Sequence, residues 1–180
     1  PAGAQVLEDG GLNASSNKGE AAASRIDGGG WCPTQHDESQ WLQWSFSSLT
    51  CVELVQTKGL FRGGNFFVTS YELSYSLNGS TWTRHPQTFQ ANSNALTAKE
   101  IVVAPPIVTR MLRLHPTAWS GSGIGLRAEL LGRPVPASLE APMGAPPVRC
   151  PSQHALERTA NPKNECHCCS HGCQKLLLQG

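Results

Sequence analysis

The stretch FFVTSYELSYSLNGSTWTRH, residues 66–85, decides the fold class of this 180-residue chain. Its first part, FFVTSYELSYSL, is rich in aromatic and β-branched side chains, a composition typical of a strand. Asn78-Gly79 follows, and this dipeptide is the strongest short-range signal for a β-hairpin. STWTRH then begins a return strand. The stretch therefore predicts two antiparallel strands joined at Asn78-Gly79.

Further strand-like segments lie on both sides of this hairpin, separated by turn residues. WLQWSF leads into the turn-rich SSLT, and CVELVQT resumes as a return strand. KEIVVA should end at Pro105-Pro106, because neither proline can donate to a β-ladder. Alternation places Val108, Leu112 and Leu114 on one face of IVTRMLRLHP, and IGLRAELLG alternates likewise with Ile124, Leu126 and Leu130. Seven or eight short strands predict an all-β, antiparallel sandwich with no helix longer than about two turns.

Composition excludes several functional classes. The formal net charge is +1, so no long-range field would attract nucleic acid or an acidic membrane. Eighteen glycines and 13 prolines favour turns and strands over helices. No apolar run approaches the roughly 18 residues that a membrane-spanning helix needs. The first residues, PAGAQVLEDGG, have no signal-peptide pattern, so a secreted protein with this sequence is expected to be part of a longer precursor.

The composition changes after Gly132 and predicts three regions. We expect a β-sandwich over 12–132, a proline-rich linker over 133–149 and a cysteine-rich tail over 150–180. Five of the seven cysteines lie in the tail. Disulfides or a truncated cysteine-rich module are favoured there. A zinc site within CHCCSHGC and a disordered tail with free thiols are the alternatives, although the spacing matches no common zinc finger.

The two remaining cysteines, Cys32 and Cys51, are predicted not to bond to each other. Cys32 precedes the strand 41–46 and Cys51 begins the return strand, which places them at opposite ends of the sandwich. About six strand residues at ~3.3 Å each separate them, against a limit of ~7 Å between Cα atoms for a disulfide. Asn13 and Asn78 stand in N-glycosylation sequons, as expected for a secreted glycoprotein.

Several separated motifs, in order, resemble one known family. They are W-C-P, WLQWSF, SYELSYSLNGSTW, FQANSNA, TRMLRLHPTAW and GIGLRAELLG. This order resembles discoidin domains, also called coagulation factor V/VIII type C domains, over roughly residues 12–132, with neuropilin domains nearest in pattern. The resemblance implies a jelly-roll sandwich of the galactose-binding type, extracellular, without catalysis or cofactor, and binding ligands at one end. Family members usually carry a cysteine before the first strand and another after the last, and this chain has neither.

His36, Asp37 and Glu38 lie between Cys32 and the strand that begins at 41. A metal site needs three or four convergent ligands, and catalysis needs a nucleophile or base with an orienting partner. Adjacent residues in one loop rarely supply either. We therefore assign no catalytic and no metal-binding residues, and interpret this segment as a loop entering a strand. The resemblance places the loop beside the ligand cleft.

In neuropilin-like domains a pocket for a carboxy-terminal arginine uses an aspartate from this loop, hydroxyls from a second loop and a tryptophan. Trp119 matches the tryptophan in this sequence. His36 stands in the aspartate's place, with Asp37 one residue later, and the second loop is shortened to Leu60–Gly64. The partners for a guanidinium and a carboxylate are therefore missing from the pattern. This specificity is not expected here.

The candidate ligand-binding residues belong to loops around 16–20, 33–38, 58–64 and 117–122. They are Asn17, Lys18, Glu20, His36, Asp37, Lys58, Leu60, Phe61, Arg62 and Trp119. The first hypothesis is binding of an extracellular protein or matrix component. The first alternative is a phosphatidylserine-containing membrane surface, because apolar residues flanked by charge suit lipid headgroups. The second alternative is glycan binding.

The loop KGLFRGGN, residues 58–65, carries the most specific of these predictions. Its glycines at 59, 63 and 64 allow positive-φ turns, which can lift Leu60, Phe61 and Arg62 clear of the sheet. Exposed apolar groups of this kind mark interaction sites more often than chance. The alternative is that Phe61 is buried beneath its own loop.

Overall fold

The computed structural model describes residues 3–8 and 10–137, and these form an antiparallel β-sandwich. The elements in chain order are β1 (Gln5–Val6), β2 (Gly11–Ala14), a 3₁₀ helix (Lys18–Ser24), β3 (Leu42–Lys58), β4 (Leu60–Phe61), β5 (Asn65–Phe66), β6 (Val68–Ser76), β7 (Thr83–Gln90), β8 (Lys99–Trp119) and β9 (Arg127–Pro134). The helix has seven residues, roughly two turns. The all-β prediction is confirmed.

The main sheet has the strand order β1-β9-β3-β8-β6-β7, with β2 also paired to β3. β4 and β5 form a separate hairpin. The predicted hairpin at Asn78-Gly79 joins β6 to β7. Tyr75 lies opposite Thr83 in the pair of residues nearest to the turn. Asn78 Oδ1 accepts hydrogen bonds from the N–H groups of Ser80 and Thr81, both at 2.9 Å. This side-chain turn explains why the polar dipeptide reverses the chain there.

β3 is one hydrogen-bonded strand of 17 residues, which would span about 55 Å if it were straight. Its two ends nevertheless reach the same group of loops. Trp41, just before β3, donates its N–H to Ser15 Oγ (3.0 Å), and Leu60, just after it, packs on Gly30. The indole N–H of Trp31, the residue after Gly30, donates to the carbonyl of the residue following Ser15 (2.9 Å). β3 therefore doubles back on itself.

The reversal falls within SSLT, as the sequence predicts. Ser45 pairs with Met111 and Thr50 pairs with Thr109, so four residues of β3 face a single residue of β8. An irregularity of this kind bends a strand and increases its twist. It allows both halves of β3 to contribute to the sandwich while the ladder resumes beyond the bend.

Pro105-Pro106 does not end the strand, and this expectation is wrong. Pairing of β8 with β3 is regular up to Val102 and again from Ile107. The four residues between them, including both prolines, oppose only Glu53. A bulge tolerates residues that lack an N–H because they do not take part in the ladder. β8 consequently continues to Trp119.

Val108 lies on a different face from Leu112 and Leu114, contrary to the expected alternation. The register between β3 and β8 shifts at Arg110, and a shift of one residue sends the following side chains to the other face of a strand. Val108 packs against a small cluster that contains Leu49, Cys51 and Val135. Leu112 and Leu114 are in the main core.

The main core is built from both halves of the bent strands and from the loops at one end. Its largest fully buried side chains are Trp31, Trp44, Tyr71, Phe89, Leu42, Leu73, Leu112, Leu114, Ile124, Leu126 and Leu130. Tyr71 and Phe89 stack, with 5.2 Å between ring centres. Each such aromatic removes ~150–250 Å² from water. The other three tryptophans are half-buried at the surface.

The sheet includes residues on both sides of the predicted 12–132 domain. Gln5 of β1 pairs with Gly132, and Leu7 is buried in the core. β9 continues to Pro134, and the N–H of Val135 donates to the carbonyl of Leu49 (2.8 Å). Residues 138–180, which hold most of the predicted linker and all of the predicted tail, lie outside the described residues.

The two body cysteines are not bonded to each other, as predicted. Cys32 has a free thiol and is half-buried. Cys51 is fully buried and forms a disulfide. Burial raises the pKa of the Cys32 thiol, with the carboxylate of Glu20 acting in the same direction and Arg62 opposing it.

Candidate functional site

The short β4–β5 hairpin lies at one end of the sandwich and is held there by Leu60. This side chain is only 3% exposed. It fills the space above Gly30, where an added Cβ would lie 1.9 Å from Leu60 Cδ2. The prediction that Leu60 stands clear of the sheet is therefore wrong. The missing Cβ of Gly30, a residue distant in sequence, creates the pocket that Leu60 enters.

Phe61, in contrast, points into solvent and is 67% exposed. The predicted exposure of this residue is confirmed, and the alternative that it is buried beneath its loop is wrong. In a strand, successive side chains point to opposite sides. Burial of Leu60 therefore drives Phe61 outward, so the hairpin presents one aromatic ring on a firmly anchored base.

Arg62 is tethered to neighbouring loops and does not stand free, which corrects the second part of the prediction. Its Nη1 donates to Glu20 Oε1 at 2.8 Å. Its Nη2 donates to the carbonyls of Gly29 (3.2 Å) and Gly30 (3.3 Å). Arg62 thus joins the β4–β5 hairpin to the 3₁₀ helix and to the glycine segment 28–30.

Glu20 accepts a second hydrogen bond, from the N–H of Cys32 (3.0 Å). Partial burial would raise the pKa of Glu20. The hydrogen bonds from Arg62 and Cys32 outweigh burial and hold the pKa below its usual range. Asn17 Nδ2 donates to the Cys32 carbonyl (2.9 Å) from a left-handed backbone conformation. Asn17 and Glu20 therefore brace the loop at Cys32, while Lys18 is exposed.

The side chains of His36 and Asp37 both accept hydrogen bonds from nearby loop residues. His36 Nδ1 accepts a hydrogen bond from the N–H of Ile124 (2.9 Å), and its ring lies 6.3 Å from that of Phe66. An added Cβ on Gly123 would lie 2.6 Å from His36 Nε2. Asp37 Oδ1 accepts hydrogen bonds from Ser39 and Gln40, which lower the pKa of Asp37. His36 therefore fixes the loop 32–40 against the loop that follows β8, and Asp37 stabilises the turn within its own loop.

The loop after β8 completes this end of the molecule. Trp119 is half-buried, packs against the core and pairs with Val68. Ser120 Oγ donates to the carbonyl of Asn65 (2.7 Å), which holds β5 in place. Lys58 is half-buried at the end of β3, opposite Arg127, whose guanidinium donates twice to the carbonyl of the residue after Lys58 (2.9 and 2.7 Å).

The structure therefore brings the four predicted loops together at one end. We call this group the loop end: segments 16–20, 28–38, 58–66 and 117–124. Within the described residues, no group of three or more histidine, cysteine or acidic side chains is placed to hold a metal ion. No helix in the described part of the chain could span a bilayer.

A fifth loop at this end, around Leu96, is not among the ligand-binding loops predicted from the sequence. Leu96 is 67% exposed, as exposed as Phe61. Asn94 Oδ1 accepts hydrogen bonds from the N–H groups of Leu96 (2.9 Å) and Thr97 (2.7 Å). An added Cβ on Gly59 would lie 2.7 Å from the Cα of Ala95, so the Leu96 loop adjoins the base of the β4–β5 hairpin. In the sequence, the single leucine within the largely polar run ANSNALTA is the feature that could have indicated this exposed apolar residue.

The two sequon asparagines are both exposed. Asn13 lies in β2, opposite Gln43, and Asn78 lies in the β6–β7 turn. The β6–β7 turn is formed where β6 runs away from the loop end, because β6 begins beside Trp119 and pairs with Met111 at Ser76. A glycan at Asn78 would therefore leave the loop end uncovered.

Comparison with known proteins identifies the family. The model of the F5/8 type C domain matches residues 11–130. The chain therefore belongs to the F5/8 type C, or discoidin, domain family, whose members are ligand-binding modules. No catalytic family is indicated.

Curated relatives share this region at moderate identity. Human EGF-like repeat and discoidin I-like domain-containing protein 3 is 38% identical over 125 residues, which cover 63% of this chain and 26% of that protein. Human neuropilin-2 is 32% identical over 114 residues, covering 59% of this chain and 12% of neuropilin-2. The chain thus spans about a quarter or less of the length of these two relatives.

Solved structures agree with the fold. Discoidin II from Dictyostelium discoideum has a TM-score of 0.61 and 27% identity, covering 75% of this chain and 60% of that one. A family 32 carbohydrate-binding module of NanJ from C. perfringens, in complex with galactose, has a TM-score of 0.54 and 20% identity, covering 67% and 92%.

Proposed function

We propose that this chain is an extracellular, non-enzymatic recognition domain, secreted as part of a longer precursor. It binds a protein or matrix ligand through the loop end. The single observation that carries the proposal is Phe61: an exposed aromatic ring on a hairpin whose other side is locked into the core by Leu60. Exposed apolar groups on rigid supports are typical anchors of interfaces.

Rigidity of the loop end supports this role. Hydrogen bonds between neighbouring loops hold four of the side chains at this end, those of Arg62, Glu20, Asn17 and His36. A preformed surface loses less conformational entropy on binding than a mobile one. In this proposal these four residues position the surface, and Phe61, Leu96 and Lys18 contact the ligand.

The test uses matrix deposited by cultured fibroblasts as the immobilised probe. The full chain and its Phe61→Ala variant are compared in a solid-phase binding assay, with Leu77→Ala as the matched control. Leu77 is a similarly exposed apolar residue (61%) in the β6–β7 turn, away from the loop end. Loss of binding in Phe61→Ala alone supports the proposal. Equal binding by all three proteins, or equal loss in both variants, contradicts it.

Phosphatidylserine-containing membranes are the second candidate, and one observation favours them. Phe61 and Leu96 are two exposed apolar side chains on adjoining loops, and paired insertion into lipid would be stronger than insertion of one. Sedimentation with phosphatidylcholine vesicles, with and without phosphatidylserine, separates the two candidates. Vesicle binding that needs phosphatidylserine and is lost in Phe61→Ala and Leu96→Ala would establish the membrane function. A glycan array tests the remaining alternative.

A further inference from the structure

A row of polar residues crosses five strands on the outer face of the sheet, and none of the five residues belongs to the segments that make up the loop end. Ladder pairing places Asn13 opposite Gln43, Gln43 opposite Arg113, Arg113 opposite Ser74, and Ser74 opposite Arg84. Residues that face each other across strands share one side of a sheet. The buried leucines at 42, 73 and 114, each adjacent to a member of this row, point to the other side and into the core.

Two indole rings flank the centre of this row. The guanidinium carbon of Arg113 lies 4.2 Å from the ring centre of Trp41 and 3.9 Å from that of Trp82. Trp82 Nε1 donates to the carbonyl of Gly79 (3.0 Å), which fixes this ring, and the backbone N–H of Trp41 donates to Ser15 Oγ (3.0 Å). All three side chains remain half-exposed.

Arg113 keeps donors that the described residues do not use. Its Nε donates to Gln43 Oε1 at 2.9 Å, which sets the plane of the guanidinium. Nothing within residues 3–8 and 10–137 accepts a hydrogen bond from its two terminal amino groups. A planar guanidinium with both terminal groups available matches the two oxygens of a carboxylate, or two oxygens of a sulfate.

The charges around Arg113 favour an anion. Arg84, at the end of the row, is paired with Glu72 on the same face, which leaves Arg113 as the cation of this row without a carboxylate partner among the described residues. His115 Nε2 and Ser74 Oγ form a hydrogen bond (2.7 Å). Partial burial lowers the pKa of Arg113 and lowers that of His115 to about 4, with Arg84 and Arg113 contributing to the latter. Arg113 stays charged, and its partial desolvation strengthens pairing with an anion.

We propose that Trp41, Arg113 and Trp82 form a second binding site, for an acidic saccharide that carries a carboxylate or a sulfate. Arg113 binds the anionic group, and the indole rings supply flat apolar surface for the C–H groups of the sugar. An acidic peptide would use the same cation but would not need the two indoles. The site lies on the sheet face, beside the loop end and without Phe61 or Leu96.

The experiment uses the full chain treated with an N-glycosidase, since a sugar on Asn13 would project from the same face. Three probes are titrated: a heparin-derived hexasaccharide, a hyaluronan hexasaccharide with carboxylates only, and neutral chitohexaose. Tryptophan fluorescence reports binding, and amide chemical shifts locate it. We expect an acidic probe to bind and the neutral probe not to, with shifts at residues 43, 74 and 113.

Variants then test the central residue. Arg113→Gln should weaken binding at least about tenfold, as expected for loss of a charge-assisted contact. Lys99→Gln, which removes an exposed cation opposite Thr57 elsewhere on β8, should bind as the unaltered chain does. The hyaluronan probe distinguishes carboxylate from sulfate recognition.

Three outcomes would overturn the site: neither acidic probe binds, chitohexaose binds as well as they do, or the shifts fall on residues 60–66 and 96 at the loop end. Equal affinity of a folded Arg113→Gln variant would overturn it as well. Chemical-shift mapping on the unaltered chain decides the matter even if that variant does not fold.

Discussion

At the residue scale, three consecutive side chains of the β4–β5 hairpin have three different roles. Leu60 enters the core, Phe61 faces water, and Arg62 joins two other loops. Only Phe61 is available to a ligand without disturbing the fold. Substitution at adjacent positions should therefore separate stability from binding.

Leu60→Ala and Phe61→Ala should differ sharply in stability. Removing the buried Leu60 leaves a cavity over Gly30, and such truncations cost about 2–5 kcal/mol. Phe61→Ala removes an exposed ring and should change the free energy of unfolding by less than about 0.5 kcal/mol. Urea denaturation of the two variants measures this. A large loss in Phe61→Ala would mean that the ring is packed.

The Arg62–Glu20 pair should contribute little to stability by itself. Both side chains are partly exposed, at 42% and 29%, and exposed ion pairs contribute about 0.2–1 kcal/mol. A double-mutant cycle with Arg62→Gln and Glu20→Gln measures the coupling. A coupling above about 2 kcal/mol would show that the pair is far less solvated than its exposure indicates.

At the element scale, the hairpin and the glycine segment 28–30 fit together only because Gly30 has no side chain. Gly30 has φ +86°, a conformation that other residues adopt at a cost, and its missing Cβ admits Leu60. Gly63, in the turn between β4 and β5, has φ +70°, but an added Cβ there would meet nothing within 4 Å. A side chain at Gly63 would therefore introduce backbone strain alone, whereas one at Gly30 would introduce backbone strain and a clash with Leu60.

Gly30→Ala should destabilise the domain more than Gly63→Ala. The Gly63 variant should lose about 1 kcal/mol from the positive φ alone. The Gly30 variant adds overpacking against Leu60, for a total of about 2–4 kcal/mol. Thermal and urea denaturation compare the pair. Similar losses in both would indicate that Leu60 moves aside without cost.

At the scale of the whole molecule, one polar contact between strands should make stability depend on pH. His115 is largely buried beside Arg84 and Arg113, and its hydrogen bond to Ser74 ties β8 to β6. Burial lowers the pKa of His115 to about 4, well below its ordinary value. The folded state therefore resists protonation of this ring, whereas the unfolded chain does not.

Stability should fall as the pH drops from about 6.5 to about 4. In this range His115 binds a proton in the unfolded chain but stays neutral in the folded chain. Above pH 6.5 His115 should have no effect on the pH dependence. With allowance for partial exposure, the loss due to His115 is about 1–2 kcal/mol. Denaturation of the unaltered chain and of His115→Gln across this range measures the difference. Parallel pH profiles would contradict the assignment.

The sequence by itself determined the features that depend on neighbours along the chain. Alternating apolar residues predicted the buried faces of β3 and β9, and Asn78-Gly79 predicted the β6–β7 hairpin, because side-chain period and turn preference are local properties. Ordered motifs also predicted the family. The exposure of Phe61 followed from its glycine-rich loop, although its alternative could not be rejected without the structure.

Only the tertiary structure decided which distant residues meet. Leu60 is buried because Gly30 lies above it, and Arg62 is occupied because the 3₁₀ helix brings Glu20 within 2.8 Å. The bulges at Arg110 and Pro105-Pro106 changed the expected faces and ends of β8. The Trp41–Arg113–Trp82 group depends on strand register. Register and packing are set by the whole core, so no local stretch of sequence could specify these contacts.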